Sequence, residues 1–274
     1  MLRVRDFDGK NVYIVGGSSG IGLATAELLA QEGSSVIIFA RGMRRLEEAL
    51  EKISARRKRE GQRLALKQLD ITVHEEVAGI MTEAVEEFGP PDILINSAGR
   101  ALPEYFENVS YEQFDESMRL HAYGNWDVIK ALLPELKKRD GYIVNVCSVV
   151  GFIGVFGYTD YCASKFALFG LTEALKSELK PDRIGVSILC PPDTDTPGFE
   201  VENRNKPPET QAVSEGAGLM EPEEVARALI KGMRKGKFFI GPGSARSLYL
   251  LKRYMPFVVN LVMDREIRKV RKKG

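Results

Sequence analysis

The sequence predicts an α/β fold in which helices cover both faces of a parallel sheet. Short apolar runs rich in β-branched residues alternate with longer stretches whose apolar residues recur at helical spacing. Such alternation is typical of consecutive β-α-β units, whose crossovers are almost always right-handed. The strand-like runs are apolar nearly throughout, which is expected of strands buried on both sides.

The predicted elements follow one another in regular order. Strands are predicted at residues 11–15, 34–40, 64–69, 92–96, 141–147, 184–190 and, at a sheet edge, 238–240. Helices are predicted at residues 23–31, 43–60, 73–88, 111–138, 158–179 and 222–233. In residues 43–60, for example, Leu46, Leu50 and Ile53 share one helical face and charged residues occupy the other.

The composition is that of an ordinary globular protein. The 274 residues are 44% hydrophobic with a formal net charge of +1, so no charge excess indicates nucleic-acid binding. Cys147, Cys162 and Cys190 lack metal-ligand spacing, and we expect free thiols in a reducing compartment and no metal site. The first residues contain no apolar run, so neither a signal peptide nor a membrane span is expected there.

A glycine-rich turn joins the first predicted strand to the first predicted helix. The turn comprises Gly16, Ser18, Ser19, Gly20, Ile21 and Gly22. It lets the backbone approach a pyrophosphate, which the free N–H groups and dipole of the helix N-terminus attract. A plain left-handed turn is the alternative, but the position between strand and helix favours a dinucleotide site.

The end of the second strand predicts which dinucleotide binds. Folds that select NAD commonly place an acidic residue there, which bonds the ribose hydroxyls. Here Arg41 follows the strand, with Arg44 and Arg45 close behind. Guanidinium groups suit a 2′-phosphate, so the sequence predicts NADP(H). For Arg44 and Arg45, solvated positions at a helix start remain the alternative.

Three polar residues near the fifth strand predict carbonyl–alcohol chemistry. Tyr161 and Lys165 are four residues apart, so on a helix they share one face, and Ser148 lies thirteen residues earlier. An ammonium close to a phenol is expected to lower the pKa of the phenol. The serine hydroxyl then holds a carbonyl oxygen while the tyrosine transfers a proton. The alternative is the solvated edge of an amphipathic helix.

Taken in order, these motifs resemble those of the short-chain dehydrogenase/reductase family. They are Gly16-x-x-x-Gly20-x-Gly22, Asp70, Asn96-Ser97-Ala98-Gly99, Ser148 and Tyr161-x-x-x-Lys165. The resemblance implies one doubly wound Rossmann domain with seven parallel strands in the order 3-2-1-4-5-6-7. It also implies that Tyr161 donates the proton, that Lys165 binds the nicotinamide ribose, and that Ser148 holds the substrate carbonyl. The further cofactor contacts that it implies are Asp70, Ile71, Asn96, Ala98, Gly99, Pro191, Thr194 and Thr196.

His121 departs from the family pattern. It stands where the family usually has an asparagine that links the lysine to solvent through water. An imidazole also bonds water, so one interpretation is a modified proton relay whose histidine titrates near neutrality and makes the rate pH-sensitive. The other is a histidine packed within the helix.

The segment after the sixth strand is longer than a usual connection. Residues 192–219 are rich in Pro, Thr, Asn and Glu, which predicts a lid over the site. The run from Pro191 to Phe199, with Glu202, resembles the branch of the family that reduces sphingoid-base ketones with NADPH. The resemblance implies 3-ketosphinganine as substrate. The alternatives are another lipophilic ketone (steroid, retinoid or β-ketoacyl) and a weakly catalytic NADP(H)-binding regulatory protein.

The last residues form an extension. We expect an NADP-binding domain at residues 1–243 and a helical extension at 244–274, in which apolar residues precede a basic cluster at 265–273. This pattern favours peripheral contact of residues 247–273 with an anionic membrane, on the cytoplasmic face, over a membrane span. Packing on the protein or a dimer partner is the alternative. Family analogy implies a homodimer or homotetramer through residues 111–138 and 158–179.

Overall fold

The computed structural model describes residues 2–215 and 218–272. Its centre is a parallel seven-stranded sheet in the order β3-β2-β1-β4-β5-β6-β7, which confirms the predicted doubly wound topology. The strands are β1 Asn11–Val15, β2 Ser35–Ala40, β3 Leu64–Gln68, β4 Ile93–Asn96, β5 Tyr142–Val146, β6 Gly185–Leu189 and β7 Phe239–Ile240. The chain reverses its direction across the sheet between β3 and β4. In a doubly wound fold, ligands bind at the carboxyl ends of the strands beside that switch point.

The helices of the described residues lie between and after these strands. They are α1 Gly20–Glu32, α2 Met43–Ala55, α3 His74–Phe88, α4 Tyr111–Met118, α5 Gly124–Lys138, α6 Thr159–Glu178, α7 Pro197–Arg204, α8 Pro208–Ser214, α9 Pro222–Arg234, α10 Ala245–Tyr254 and α11 Pro256–Arg271.

Each face of the sheet has its own apolar core. On one face, α1, α2 and α9 contribute Leu29, Leu46 and Leu229, all fully buried. On the other face, α3 and α5 contribute the fully buried Met81 and Leu132. Burial of one side chain of this size stabilises the folded state by about 1.5–3 kcal/mol. The two cores therefore hold the sheet, and with it the carboxyl ends of its strands, in place.

The predicted helix at residues 43–60 ends early, at Ala55. A buried side chain, Gln62, explains the difference. Its carbonyl oxygen accepts from the backbone N–H groups of Lys58 and Arg59, and its amide donates to the carbonyls of Ala30 and Ser34. These bonds hold the charged run before Gln62 in a turn, although the local sequence favours a helix.

The predicted helix at residues 111–138 is interrupted by one π-helical turn, Arg119–Tyr123. The amide of Asn125 donates to the carbonyls of Leu120 and His121, at 3.3 and 2.8 Å, and satisfies acceptors that the wider turn frees. Single π turns inside α-helices frequently occur at functional sites. This one contains His121 and places it beside α6.

The predicted lid at 192–219 and extension at 244–274 are both helical and packed on the body, apart from residues 216–217 and 273–274, which lie outside the described residues. The lid contains α7 and α8, and a parallel bridge between Thr194 and Met220 ties its two ends together. The extension is two helices, because the chain kinks at Met255 before Pro256, and a residue before proline is disfavoured in a helix. Tyr249 of α10 stacks on Phe239 at a centroid distance of 4.2 Å.

Candidate active site

A cavity of about 1540 Å³ lies between the carboxyl ends of the strands and the connection from β6 to α9. Usual small-molecule sites measure about 300–1,000 Å³, so this cavity has room for a dinucleotide and a second ligand. The predicted site residues that line it are Gly16, Ser18, Ser19, Gly20, Ile21, Arg41, Arg45, Asp70, Ile71, Ala98, Gly99, Ser148, Tyr161, Lys165, Pro191, Thr194 and Thr196. Gly22, Asn96 and His121 are the predicted residues that are not in its wall.

The glycine turn has the shape that a pyrophosphate requires. Gly16 and Gly20 adopt φ values of +80° and +54°, and a Cβ on Gly16 would lie 2.4 Å from the backbone nitrogen of Ala98. The N-terminus of α1 has no side-chain cap, and no acidic residue lies in its first turn. The N–H groups of this first turn are therefore not capped by a side chain, and they can bind an anion in the cavity.

Gly22 has a packing role in this structure, and its predicted contact with the cofactor stays a prediction. A Cβ at this position would lie 2.2 Å from the carbonyl oxygen of Gly16, so only glycine lets α1 begin this close to the turn. The closeness of helix and turn explains why the residue is absent from the cavity wall although it belongs to the motif.

Guanidinium groups line the end of the cavity beyond the glycine turn. Arg41 is half-exposed, and its Nη1 is 3.8 Å from Oδ2 of Asp70, which makes only a loose ion pair. Arg45 also lines the cavity, whereas Arg44 pairs with Glu48 at 3.1 Å and does not. The alternative of a solvated position therefore describes Arg44, and Arg41 and Arg45 fit a phosphate.

Asn96 points away from the cavity. It is buried, and its amide donates to Oδ1 of Asn145 at 2.9 Å, while Asn145 donates to Thr172 at 2.8 Å. The side chain therefore joins β4 to β5 and α6. The sheet-steadying part of the expectation for Asn96 fits this contact, and the contact with a cofactor stays a prediction.

The predicted catalytic residues meet in the cavity wall. Ser148 follows β5 and begins a short 3₁₀ turn, and Tyr161 and Lys165 occupy the first two turns of α6. Lys165 is buried, and its Nζ donates to the carbonyl of Val146 at 3.1 Å. The same nitrogen is 5.7 Å from the centroid of the Tyr161 ring.

The net pKa of Tyr161 is raised in this arrangement, although the sequence predicted that Lys165 lowers it. Burial raises the pKa of Tyr161 well above its ordinary value, and the negative charge of Glu202 raises it further, while hydrogen bonding by Ser148 opposes the shift. Burial also lowers the pKa of Lys165. The phenol of Tyr161 is therefore protonated at neutral pH, which is the form a proton donor needs.

His121 is a buried neutral histidine. Its Nδ1 lies 2.9 Å from Oγ of Ser164, its Nε2 accepts from the backbone N–H of Arg100 at 3.2 Å, and its ring meets the Tyr161 ring edge-on at 5.2 Å. Because the ring is fully buried and the charge of Lys165 is near, the pKa of His121 lies well below 6.5. The hypothesis that this histidine titrates near neutrality is therefore wrong, and the packed interpretation fits the structure.

The lowered pKa of His121 predicts how stability depends on pH. The unfolded chain protonates this histidine near pH 6.5 and the folded chain does not, so the unfolded state binds more protons and stability falls as the pH drops below 6.5. The contribution is at most about 1.4 kcal/mol per pH unit. We expect His121→Asn to reduce the fall in melting temperature between pH 6.5 and 5.5 and to leave the pH–rate profile between 6.5 and 8 unchanged. Loss in His121→Asn of an inflection that the wild-type profile shows would contradict the neutral assignment.

One group of polar residues at the cavity was not predicted. The hydroxyl of Tyr158 donates to Oε1 of Glu202 at 2.5 Å, and Lys206 contacts Glu202 and Asp193 at 3.1 and 3.6 Å. Three separate segments supply these residues. No local spacing predicts this group, although Asp193 and Glu202 both belong to the residues after β6 that carry the family resemblance.

The family of the chain follows from this fold and its sequence. A family model described as short chain dehydrogenase matches residues 10–207, and the chain belongs to that family of oxidoreductases. Among curated relatives, a 3-dehydrosphinganine reductase of Danio rerio is 38% identical over 233 residues, which is 84% of this chain and 70% of the relative. A 3-ketodihydrosphingosine reductase of Dictyostelium discoideum is 39% identical over 249 residues, 85% of this chain and 74% of the relative.

The solved structures confirm the fold. L-sorbose reductase from Gluconobacter frateurii, solved with NADPH and L-sorbose, superposes with a TM-score of 0.76 at 24% identity, over 88% of this chain and 98% of that one.

Proposed function

We propose that this chain reduces the ketone of 3-ketosphinganine to the alcohol of sphinganine with NADPH, a step of sphingolipid synthesis. One combined observation carries the proposal. Ser148, Tyr161 and Lys165 meet in the cavity wall, and relatives named for this reduction match more than four-fifths of the chain. The cavity also has the size and the apolar lining at α10 and α11 that a long-chain ketone needs.

The residues that would hold NADPH form a continuous wall. Gly16 to Ile21 would take the pyrophosphate, Arg41 and Arg45 the 2′-phosphate, and Asp70 with Ile71 the adenine. Ala98, Gly99, Pro191, Thr194 and Thr196 would flank the nicotinamide half. NADPH supplies the hydride when bound, and the protein supplies position and a proton.

The catalytic residues divide the remaining work. The hydroxyls of Ser148 and Tyr161 hold the carbonyl oxygen and stabilise the negative charge that develops on it. Tyr161 then gives its proton to that oxygen, which completes the alcohol. Lys165 stabilises the phenolate that remains, because a positive charge close by favours the ionised form. His121 acts as a positioning residue, since it packs on the Tyr161 ring and fixes Ser164 within α6.

A panel of ketones tests the proposal. We expect kcat/KM with 3-ketosphinganine to exceed that with a steroid ketone, a retinoid ketone and a β-ketoacyl thioester, measured as NADPH oxidation. Higher kcat/KM with any of those three substrates would place the enzyme elsewhere in the family. NADPH binding without turnover of any ketone would indicate the regulatory alternative.

We propose that residues 1–243 form the NADP-binding domain with its lid. We also propose that the extension after it contacts a membrane peripherally, on the cytoplasmic face. Among the described residues, no helix is long and apolar enough to cross a bilayer. Yet Tyr254, Phe257, Leu261 and Val262 are each more than half exposed on α10 and α11. Val262 also lines the cavity, so this apolar surface is continuous with the proposed substrate site. The basic residues that follow suit anionic lipids.

Vesicle binding tests the role of this surface. We expect the double substitution Phe257→Ser and Leu261→Ser to weaken co-sedimentation with phosphatidylserine vesicles by at least about tenfold, because each buried side chain contributes about 1.5–3 kcal/mol. Phe106→Ser is the matched control, since Phe106 is 76% exposed and lies outside the extension. Equal loss in the control would contradict the assignment.

A homodimer or homotetramer is proposed through α4, α5 and α6. Phe114, Tyr123, Trp126 and Phe166 lie on these helices or in the π-helical turn between α4 and α5, and all are at least 40% exposed, which favours an interface there. Light scattering at micromolar concentration is expected to give at least twice the mass of one chain. A mass of one chain under these conditions would contradict the assignment.

A further inference from the structure

The lid presents two carboxylates to the cavity beside Tyr161. Glu202 of α7 and Asp193 of the segment before it both line the cavity, and both side chains are largely buried. Glu202 is joined to the catalytic tyrosine through Tyr158, whose hydroxyl bonds Glu202 and whose ring lies 5.8 Å from that of Tyr161. Glu202 is thus separated by a single side chain, Tyr158, from the tyrosine that would bind the reacting carbonyl.

The ammonium group of Lys206 contacts both carboxylates, although Lys206 is not in the cavity wall. The side chain of Lys206 is only 3% exposed and is absent from the cavity wall, and its Nζ lies 3.1 Å from Glu202 and 3.6 Å from Asp193. Nζ also lies 4.3 Å from the centroid of the Phe199 ring. Although buried between two acids, this nitrogen makes no hydrogen bond of good geometry. Tyr158 and Lys206 both approach the same carboxylate oxygen of Glu202, Oε1, so the second oxygen has capacity for a ligand.

The charges of this group do not balance within the lid. Two carboxylates there face one ammonium, Lys206, while the other buried ammonium of the site, Lys165, donates to the carbonyl of Val146. Burial raises the pKa of both Glu202 and Asp193, and Lys206 only partly offsets this. A buried charge is costly unless it is paired, so a ligand with a single positive charge would complete the group.

We propose that Glu202, with Asp193 beside it, is the subsite for a primary ammonium on the carbon next to the reacting ketone. This inference rests on the proposed function, because a sphingoid-base ketone carries its amine at that carbon. When the carbonyl oxygen contacts Ser148 and Tyr161, the ammonium lies one carbon away and faces Glu202. The lid thereby selects 2-amino ketones from other long-chain ketones by a charge-assisted hydrogen bond.

Two substrates separate the amine subsite from the general reaction. We compare 3-ketosphinganine with the same long-chain ketone lacking the amine, using kcat/KM for NADPH oxidation. For Glu202→Gln we expect the ratio of the two kcat/KM values to fall by about tenfold or more, as loss of a charged hydrogen-bond partner predicts. The glutamine oxygen still accepts from Tyr158, and an unchanged NADPH affinity verifies the fold.

The matched control is Glu200→Gln, since Glu200 lies on the same helix, is exposed and does not line the cavity. We expect this control to keep the wild-type ratio. An unchanged ratio in Glu202→Gln, or an equal fall in Glu200→Gln, would overturn the amine subsite. Absence of wild-type turnover with 3-ketosphinganine would instead overturn the proposed function, so the two failures are distinguishable.

Discussion

Replacing Tyr161 by phenylalanine is expected to lower kcat for ketone reduction by roughly 10²–10⁴-fold, the range of a positioned proton donor. The substitution removes both the proton and one of the two hydroxyls that hold the carbonyl oxygen. Because the ring remains, its edge contact with His121 and its packing beside Tyr158 persist. Stopped-flow measurement of NADPH oxidation gives the rate, and fluorescence titration gives the affinity for NADPH, which we expect to change by less than about twofold.

The raised pKa of Tyr161 keeps its phenol protonated at neutral pH but also makes it a weaker acid, so proton transfer depends on stabilisation of the phenolate by Lys165. Tyr249→Phe is the matched control, since Tyr249 is outside the cavity wall and its ring keeps its stacking on Phe239. Turnover by Tyr161→Phe within tenfold of wild type would contradict the assigned role, as would an equal loss in Tyr249→Phe.

Replacing Arg41 by aspartate is expected to have the second largest effect, on the choice of cofactor. The substitution removes a guanidinium from the proposed phosphate site and puts a carboxylate near Asp70, which is 3.8 Å from Arg41. A charge-assisted bond is worth about 1.5–3 kcal/mol, and repulsion adds to its loss. We therefore expect the Kd for NADPH to rise by about 10²–10³-fold, and that for NADH to rise much less.

Arg44→Asp is the control for the cofactor prediction. Arg44 has the same charge and lies three residues further along the chain, in the first turn of α2, but it pairs with Glu48 and is outside the cavity. We expect its Kd values for both cofactors to stay close to wild type. Equal weakening of NADPH and NADH in Arg41→Asp would contradict a 2′-phosphate contact.

The topology was predictable because local pattern and global fold agree. Apolar strands buried on both faces require covering helices, so the periodicity predicts the layers, while the strand order followed from the family resemblance. The spacing of Tyr161 and Lys165, and the position of the glycine turn between β1 and α1, also placed most of the cavity wall correctly. These features depend on residues close together in the sequence.

The features that sequence reasoning missed depend on distant contacts. Gln62 ends α2 early by bonding to Ala30 and Ser34, and no periodicity in residues 43–60 signals that contact. The pKa of Tyr161 is set by burial and by Glu202, forty-one residues further along the chain, more than by its helical neighbour Lys165. The titration of His121 likewise depends on complete burial, which a helical position alone does not indicate.

The most direct test of the central claim follows the hydride into the product. The enzyme is incubated with 3-ketosphinganine and NADPH that carries deuterium at both C4 positions of the nicotinamide, and the product is analysed by mass spectrometry. We expect sphinganine with one deuterium, bound to C3, and a rate that is strongly reduced with Tyr161→Phe. Absence of sphinganine, or sphinganine without deuterium at C3, would contradict this expectation.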